Sequence, residues 1–182
     1  MTDTLTLAAT VAISDLDKEG KTFELAGTPE ELERVAERFE LVSVSALSGS
    51  LVLKDKGPEQ GVLVSGKLAA QFTQKCIATL APVDEELETD FELLLVDPEM
   101  ADRMDEEGVY LDADAPEYDA LEGEIIPIGE ILAQTLSISM NPYPRAEGVE
   151  LSAGSKSGIT VNEPELERPN PFAVLAKTRD ES

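Results

Sequence analysis

Between Val62 and Pro82 the chain reads VLVSGKLAAQFTQKCIATLAP, and Val62, Val64, Leu68, Ala70 and Phe72 share one parity. Successive side chains of a strand point to opposite faces, so this spacing predicts a long strand, Val62 to Leu80, with one face in a core. Cys76, the one cysteine, continues that parity. The next run, Val83 to Asp97 (VDEELETDFELLLVD), answers it. Val83, Glu85, Leu87, Thr89, Phe91, Leu93 and Leu95 lie on one parity with acids between them. The simplest topology returns this strand antiparallel to its predecessor through a turn at Ala81-Pro82, with an acidic outer face over its first half. Asp97-Pro98 ends it.

The N-terminal part offers partners for that hairpin. Residues 4 to 13 alternate through Leu5, Leu7, Ala9, Val11 and Ile13 and predict a first strand, and Thr22 to Leu25 a short second one. A helix is expected over Pro29 to Phe39. Thr28 suits its N-cap, Pro29 its first position and Glu31 the capping box, and Leu32, Val35, Ala36 and Phe39 form one apolar stripe. Leu41 to Lys54 reads as strand, small-residue interruption and strand, with Gly49 marking a bulge or a close backbone approach.

After Pro98 the pattern changes. Residues 99 to 119 are dense in acids and poor in aliphatics, which predicts an exposed loop whose exit is anchored by Tyr118 and Leu121. The spacing of Asp112, Asp114 and Glu117 does not fit an EF-hand. Glu124 to Ile126 suits a short strand, and Ile128 to Ser139 a helix buried through Ile128, Ile131, Leu132, Thr135 and Leu136, nearly all round toward its end. Glu130 on that helix is placed to salt-bridge a lysine or arginine at the core edge. Asn141-Pro142-Tyr143-Pro144 stops the helix. Beyond Arg145 the periodicity is lost. The expected organisation is a single α+β domain over 1–147 and a polar, flexible tail over 148–182 with a short helix near 170–178, capped by Asn170 with Pro171 in its first turn. That helix buries little by itself, so it docks on the domain or on a partner. The sheet is antiparallel, closing toward a partial or split barrel, with the Pro29 and Ile128 helices packed on it.

Composition then narrows the chemistry. There are 38 aspartates and glutamates against 14 lysines and arginines, a formal charge of -24, and no histidine. Such an excess repels phosphate backbones and argues against independent tight nucleic-acid binding; it suits a basic protein partner, or a halophilic or marine setting in which most soluble proteins are acidic. Without histidine, and with one cysteine, neither an intramolecular Cys/His zinc site nor a disulfide cycle can be built. No GxxxxGK[ST] or GxGxxG spacing occurs. No apolar run approaches the ~20 residues of a membrane helix, and no basic-then-apolar leader is present, so a cytoplasmic, non-membrane protein is expected. No catalytic constellation emerges, and no cofactor is expected.

Several stretches resemble the DUF177 or YceD family of bacterial proteins, named for accumulation of large-subunit ribosomal RNA. They are Gln74-Lys75-Cys76-Ile77-Ala78-Thr79-Leu80 followed by Ala81-Pro82-Val83, the strand Phe91 to Val96, Glu117-Tyr118-Asp119, the helix ending in Asn141-Pro142-Tyr143-Pro144, and Arg168 to Lys177 (RPNPFAVLAK). Many relatives carry CxxC where this chain has Thr73 and Cys76. It resembles the alphaproteobacterial-type branch lacking the first cysteine. Cys76 itself reads as a small buried apolar residue at a strand edge.

The resemblance implies a non-enzymatic role in ribosome biogenesis, supporting 23S rRNA processing or accumulation. The charge directs that role to protein contacts with a basic ribosomal protein or assembly factor, with the Glu99 to Asp119 loop as the facing surface. Cys76, Glu117, Tyr118, Asp119, Asn141, Pro142, Asn170, Pro171, Phe172 and Leu175 are the family-motif or partner-contact candidates. A general acidic adaptor or chaperone-like protein unrelated to ribosomes is one alternative. A metal-dependent hydrolase built on converging carboxylates is another, and would need those groups together in a cleft. Oligomeric state is left open by the sequence.

Overall fold

A computed structural model describes residues 4–109 and 117–148. The chain divides into two compact units, Met1–Glu147 and Gly148–Ser182. The second lies almost wholly outside the described residues, and with it the expected tail helix and its candidates Asn170, Pro171, Phe172 and Leu175. The elements of the first unit are β1 (Val11–Ala12), β2 (Lys21–Ala26), α1 (Pro29–Arg38), β3 (Ser43–Asp55), β4 (Val62–Lys75), β5 (Pro82–Val96), α2 (Pro98–Glu107), β6 (Tyr118–Ala120), β7 (Ile125–Ile126) and α3 (Ile128–Ser139).

The architecture is α+β. One sheet has the spatial order β2-β3-β4-β5-β6, antiparallel from β2 to β5, with β6 added parallel to β5. β1 and β7 make a separate antiparallel pair. Among the described residues the large sheet ends at β2 and β6 without closing on itself, so it is an open sheet and not a barrel. The β4–β5 ladder runs unbroken from Val62 opposite Leu95 to Lys75 opposite Pro82, as the paired periodicities predict.

One face of the sheet is core. Val44, Leu47, Leu51, Leu53, Val62, Val64, Leu68, Ala70 and Phe72 are buried there with Leu32, Val35 and Ala36 of α1 and Ile128, Ile131, Leu132 and Leu136 of α3. The α1 start forms as its sequence dictates: Glu31 N–H donates to Thr28 Oγ1 (3.3 Å) and Thr28 N–H to Glu31 Oε2 (2.9 Å). Gly49 lets α3 approach the sheet, because a Cβ there would lie 2.5 Å from Leu132 Cδ1. Gly49 thus marks a close approach, but of the Leu132 side chain and not of the α3 backbone. The ladder irregularity falls elsewhere, between Val44 and Ala46, leaving Ser45 without an opposite residue on β4. Leu41 to Lys54 is therefore largely one continuous strand and not two.

Four local expectations are corrected. Residues 4–13 do not form a strand: Leu5 makes one isolated bridge to Leu25, Ala9 N–H turns back to Thr6 O, and only Val11–Ala12 pairs. The groups that would have joined a ladder are used by helices instead. Ala8 N–H donates to Glu31 Oε1 (2.9 Å), and the Leu7 carbonyl lies where Gly129 has no Cβ. Part of the acidic 99–119 loop is helical, since Asp97-Pro98 ends β5 and also begins α2. Asp97 Oδ1 accepts from Glu99 N–H, Pro98 takes the first turn, and Gly108 closes the helix at φ 73. The strand expected to reach Leu80 ends at Lys75. Cys76 to Ala81 is the turn, closed by Cys76 N–H to Ala81 O (2.8 Å) and Leu80 N–H to Cys76 O (2.9 Å). Lastly, Ile138 lies off the apolar stripe of α3 and is 76% exposed, so that helix is not buried all round.

Candidate functional site

With both helices of the core on one face, the other face of the sheet is largely open among the described residues, with Met100 of α2 beside Leu63, Glu92 and Leu94 at one end. Its floor is small and polar: Ser43, Ser45, Ser48 and Ser50 from β3, and Ser65, Ala69, Gln71 and Thr73 from β4. Its wall is β5, where alternation puts Asp84, Glu86, Glu88, Asp90 and Glu92 on the same side, all exposed. The opposite parity, Val83, Glu85, Leu87, Thr89, Phe91 and Leu93, is half-buried toward the core.

The floor orders part of the acidic row. Ser43 Oγ donates to Thr73 Oγ1 (3.2 Å) and Thr73 Oγ1 to Asp84 Oδ1 (2.7 Å). Gln71 Nε2 donates to Glu86 Oε1 (3.2 Å). Lys67 Nζ lies 3.2 Å from Asp90 Oδ1, but those side chains are 80% and 76% exposed, so the pair holds little energy. Among the described residues Lys67 is the one cation ion-paired with these five carboxylates. A shallow depression crosses the strands here, lined in part by Glu24, Ser50, Lys67, Glu88 and Asp90.

The hairpin end carries a different surface. Cys76 has no exposed area. Its thiol is drawn down to about 6, first by the Thr79 hydroxyl and then by the N–H groups of Ala146, Ala78 and Thr79, all of which favour the thiolate. Around this buried sulfur the surface is apolar: Ile77 is 46%, Leu80 74% and Tyr143 69% exposed. Leu80 stands at φ 61, a left-handed conformation that costs a branched side chain energy. The Asn141 to Pro144 turn is tied in by Ile77 N–H donating to Pro144 O (2.9 Å) and by Asn141 Oδ1 accepting from Tyr143 N–H (3.0 Å). With its amide turned so that the nitrogen faces these acceptors, Gln74 donates to Glu85 Oε2 and to Asn141 O, both at 3.2 Å. Burial pushes the Glu85 carboxyl above its ordinary value, against the Asn141 side chain.

Cys76, Asn141 and Pro142 therefore share one end of the molecule. Glu117, Tyr118 and Asp119 do not join them. They belong to or precede β6, which pairs with Leu94 to Val96 at the far end of the hairpin, roughly 40 Å along β5. Tyr118 OH donates to Asp105 Oδ1 of α2 (2.5 Å), and Leu121 packs on the core, so both anchor the chain's exit from the acidic segment. Glu130 has its cation: Arg38 bonds both carboxylate oxygens at 2.7 Å, which holds Glu130 below and Arg38 above their ordinary values. Among the described residues no three acids or cysteines are placed to hold a metal ion. No helix among them is long and apolar enough to cross a membrane. The five β5 acids were legible as an outer face but not as a site; the signal was their strict alternation in VDEELETDFELL.

The fold and this surface define an acidic α+β protein distinguished by an open sheet face. Comparison with protein families carries this further: the family described as large ribosomal RNA subunit accumulation protein YceD matches residues 64–178, and the chain belongs to that family. The family's description gives its members a role in accumulation of large-subunit ribosomal RNA. Comparison with curated proteins found no match, and comparison with solved structures found none.

Proposed function

We propose that this protein acts without catalysing a reaction, supporting 23S rRNA processing or accumulation in the cytoplasm by holding a basic ribosomal protein or assembly factor. The observation that carries this reading is the row Asp84, Glu86, Glu88, Asp90 and Glu92 on a sheet face that, among the described residues, is open and pairs the row with one lysine. A row of like charges on a low-dielectric sheet attracts a cationic protein segment and repels phosphate. The net charge of -24 extends that preference over the chain. The expected contact surface thus moves from the segment after Glu99 to β5. The hairpin end adds an apolar contact, since Leu80 is both held in a left-handed conformation and exposed.

The test is complementation of cells that lack the protein, with mature large-subunit rRNA quantified. The wild-type chain restores the rRNA. A variant carrying Asp84→Asn, Glu86→Gln, Glu88→Gln, Asp90→Asn and Glu92→Gln, expressed to the same level, does not. Full restoration by the neutralised variant contradicts the proposal.

A further inference from the structure

The edge of β5 that faces away from β4 is taken by β6 at Leu94 to Val96 alone; from Pro82 to Leu93 no strand among the described residues covers it. The β6 contacts show which main-chain groups point that way. Leu94 N–H donates to Glu117 O (2.8 Å), and Val96 O accepts from Leu121 N–H (2.8 Å). In a strand the N–H and C=O of one residue point to the same side and those of the next residue to the other. Because the β4–β5 register has no shift, the even-numbered residues present their main chain to the open edge throughout. Those residues are Asp84, Glu86, Glu88, Asp90 and Glu92. Among the described residues, those that carry the acidic row also offer N–H and C=O groups that no strand pairs, although the Asp90 carbonyl accepts from the neighbouring Thr89 hydroxyl (3.3 Å).

We infer that this edge receives an extended, basic segment of a partner protein as an added strand of the sheet. The inference rests on the proposed basic partner and specifies how it binds. Strand addition places opposite residues on the same face, so a lysine or arginine at every second position of the incoming segment meets a carboxylate of the row. The open stretch from Asp84 to Glu92 spans about 27 Å, enough for a segment of about nine residues. β6 already adds to this edge in parallel, so its geometry accepts a strand. Acids on an edge also discourage pairing with a second copy of this chain, whose own acidic row would face them.

The experiment uses the full chain and two peptides of equal composition: a nonapeptide alternating lysine and threonine, and one with the lysines in a block. Only the first can set every lysine on one face. The alternating peptide is expected to bind about tenfold more tightly than the block. It is also expected to slow amide exchange selectively at Asp84, Glu86, Glu88, Asp90 and Glu92. Glu88→Pro removes an edge-facing N–H and leaves the β4 ladder intact, so it abolishes the difference between peptides. Methylating alternate amides of the lysine–threonine peptide tests the same bond from the ligand side, should that variant fail to fold. Equal binding of both peptides without amide protection overturns strand addition and leaves the basic-partner reading standing. If neither peptide binds but an rRNA fragment does, both fall.

Discussion

Replacing Gly49 by alanine tests how α3 is seated, and with it why the helices occupy one face of the sheet. The added Cβ would stand 2.5 Å from Leu132 Cδ1, 3.2 Å from Leu132 Cδ2 and 2.9 Å from the Lys67 carbonyl oxygen. Leu132 is fully buried and cannot swing into solvent. Overpacking of that kind costs about 1–3 kcal/mol. Leu132→Ala alone removes a fully enclosed side chain, a loss of about 3–5 kcal/mol. In the double variant the main obstacle is gone. Gly49→Ala then costs about 1 kcal/mol or less, with the Lys67 carbonyl as residual obstacle and the reduced entropy of the unfolded chain as partial offset. The coupling is therefore about 1–2 kcal/mol in favour of the pair. Urea unfolding followed by circular dichroism measures all four proteins, which suits a chain without tryptophan. If Gly49→Ala costs the same with leucine or alanine at 132, the helix does not rest on Gly49 and the packing argument is wrong.

Further consequences concern Cys76, Leu80 and the α1 cap. The Cys76 thiolate, followed by its ultraviolet absorbance, is expected to titrate near 6 in the folded protein and near the free value of about 8.5 in urea. A depressed folded value means that this group's contribution to stability is complete above the unfolded value and is lost as pH falls through about 6. Thr79→Val raises the midpoint, and an unchanged midpoint would remove the hydroxyl as the leading cause. Leu80→Gly relieves the left-handed conformation and raises stability by about 0.5 kcal/mol after the entropy of glycine is subtracted. The same change weakens partner capture if the exposed leucine is a contact. Thr28→Ala opens the capping box and costs about 1 kcal/mol in thermal or urea unfolding. Burial pushes Glu31 upward, but N–H groups of Thr28, Leu7 and Ala8 and the Thr28 hydroxyl outweigh it, leaving the carboxyl below its ordinary value. Its stabilisation is thus present above the unfolded carboxylate range and declines in acid, a decline that Glu31→Gln removes.

The long hairpin and two of the three α-helices among the described residues could be read from the chain because their signals are local and agree with one another. Period two over Val62 to Phe72 and over Val83 to Leu95 gives β4 and β5, and Thr28-Pro29 with Glu31 gives the start of α1. Other features depended on contacts made across the chain. Residues 4–13 alternate as a strand does, yet Glu31 and the bare backbone at Gly129 draw them into turns. The α2 helix was hidden because PEMADRMDEE offers Ala101 as its one buried residue, so no apolar stripe marks it. The same Asp97-Pro98 that ends a strand also opens that helix, and pattern alone favours the first meaning. The candidate site was half legible. Alternation shows that β5 has an acidic face, but only the pairing shows that the same residues stand on an edge that no other strand among the described residues covers. Cys76 was placed correctly as buried, while the donors around its sulfur come from a turn and from Ala146, seventy residues away.

The central claim is that this acidic surface recruits a basic protein and not RNA. The most direct measurement is calorimetric titration of the purified full chain with a purified basic large-subunit ribosomal protein and, separately, with large-subunit rRNA fragments, at moderate and at high salt. The account predicts saturable binding of the protein that weakens steeply with salt and is lost when the five β5 acids are neutralised, with no comparable binding of RNA. Tight RNA binding that survives neutralisation of those acids, with the basic protein ignored, would contradict it.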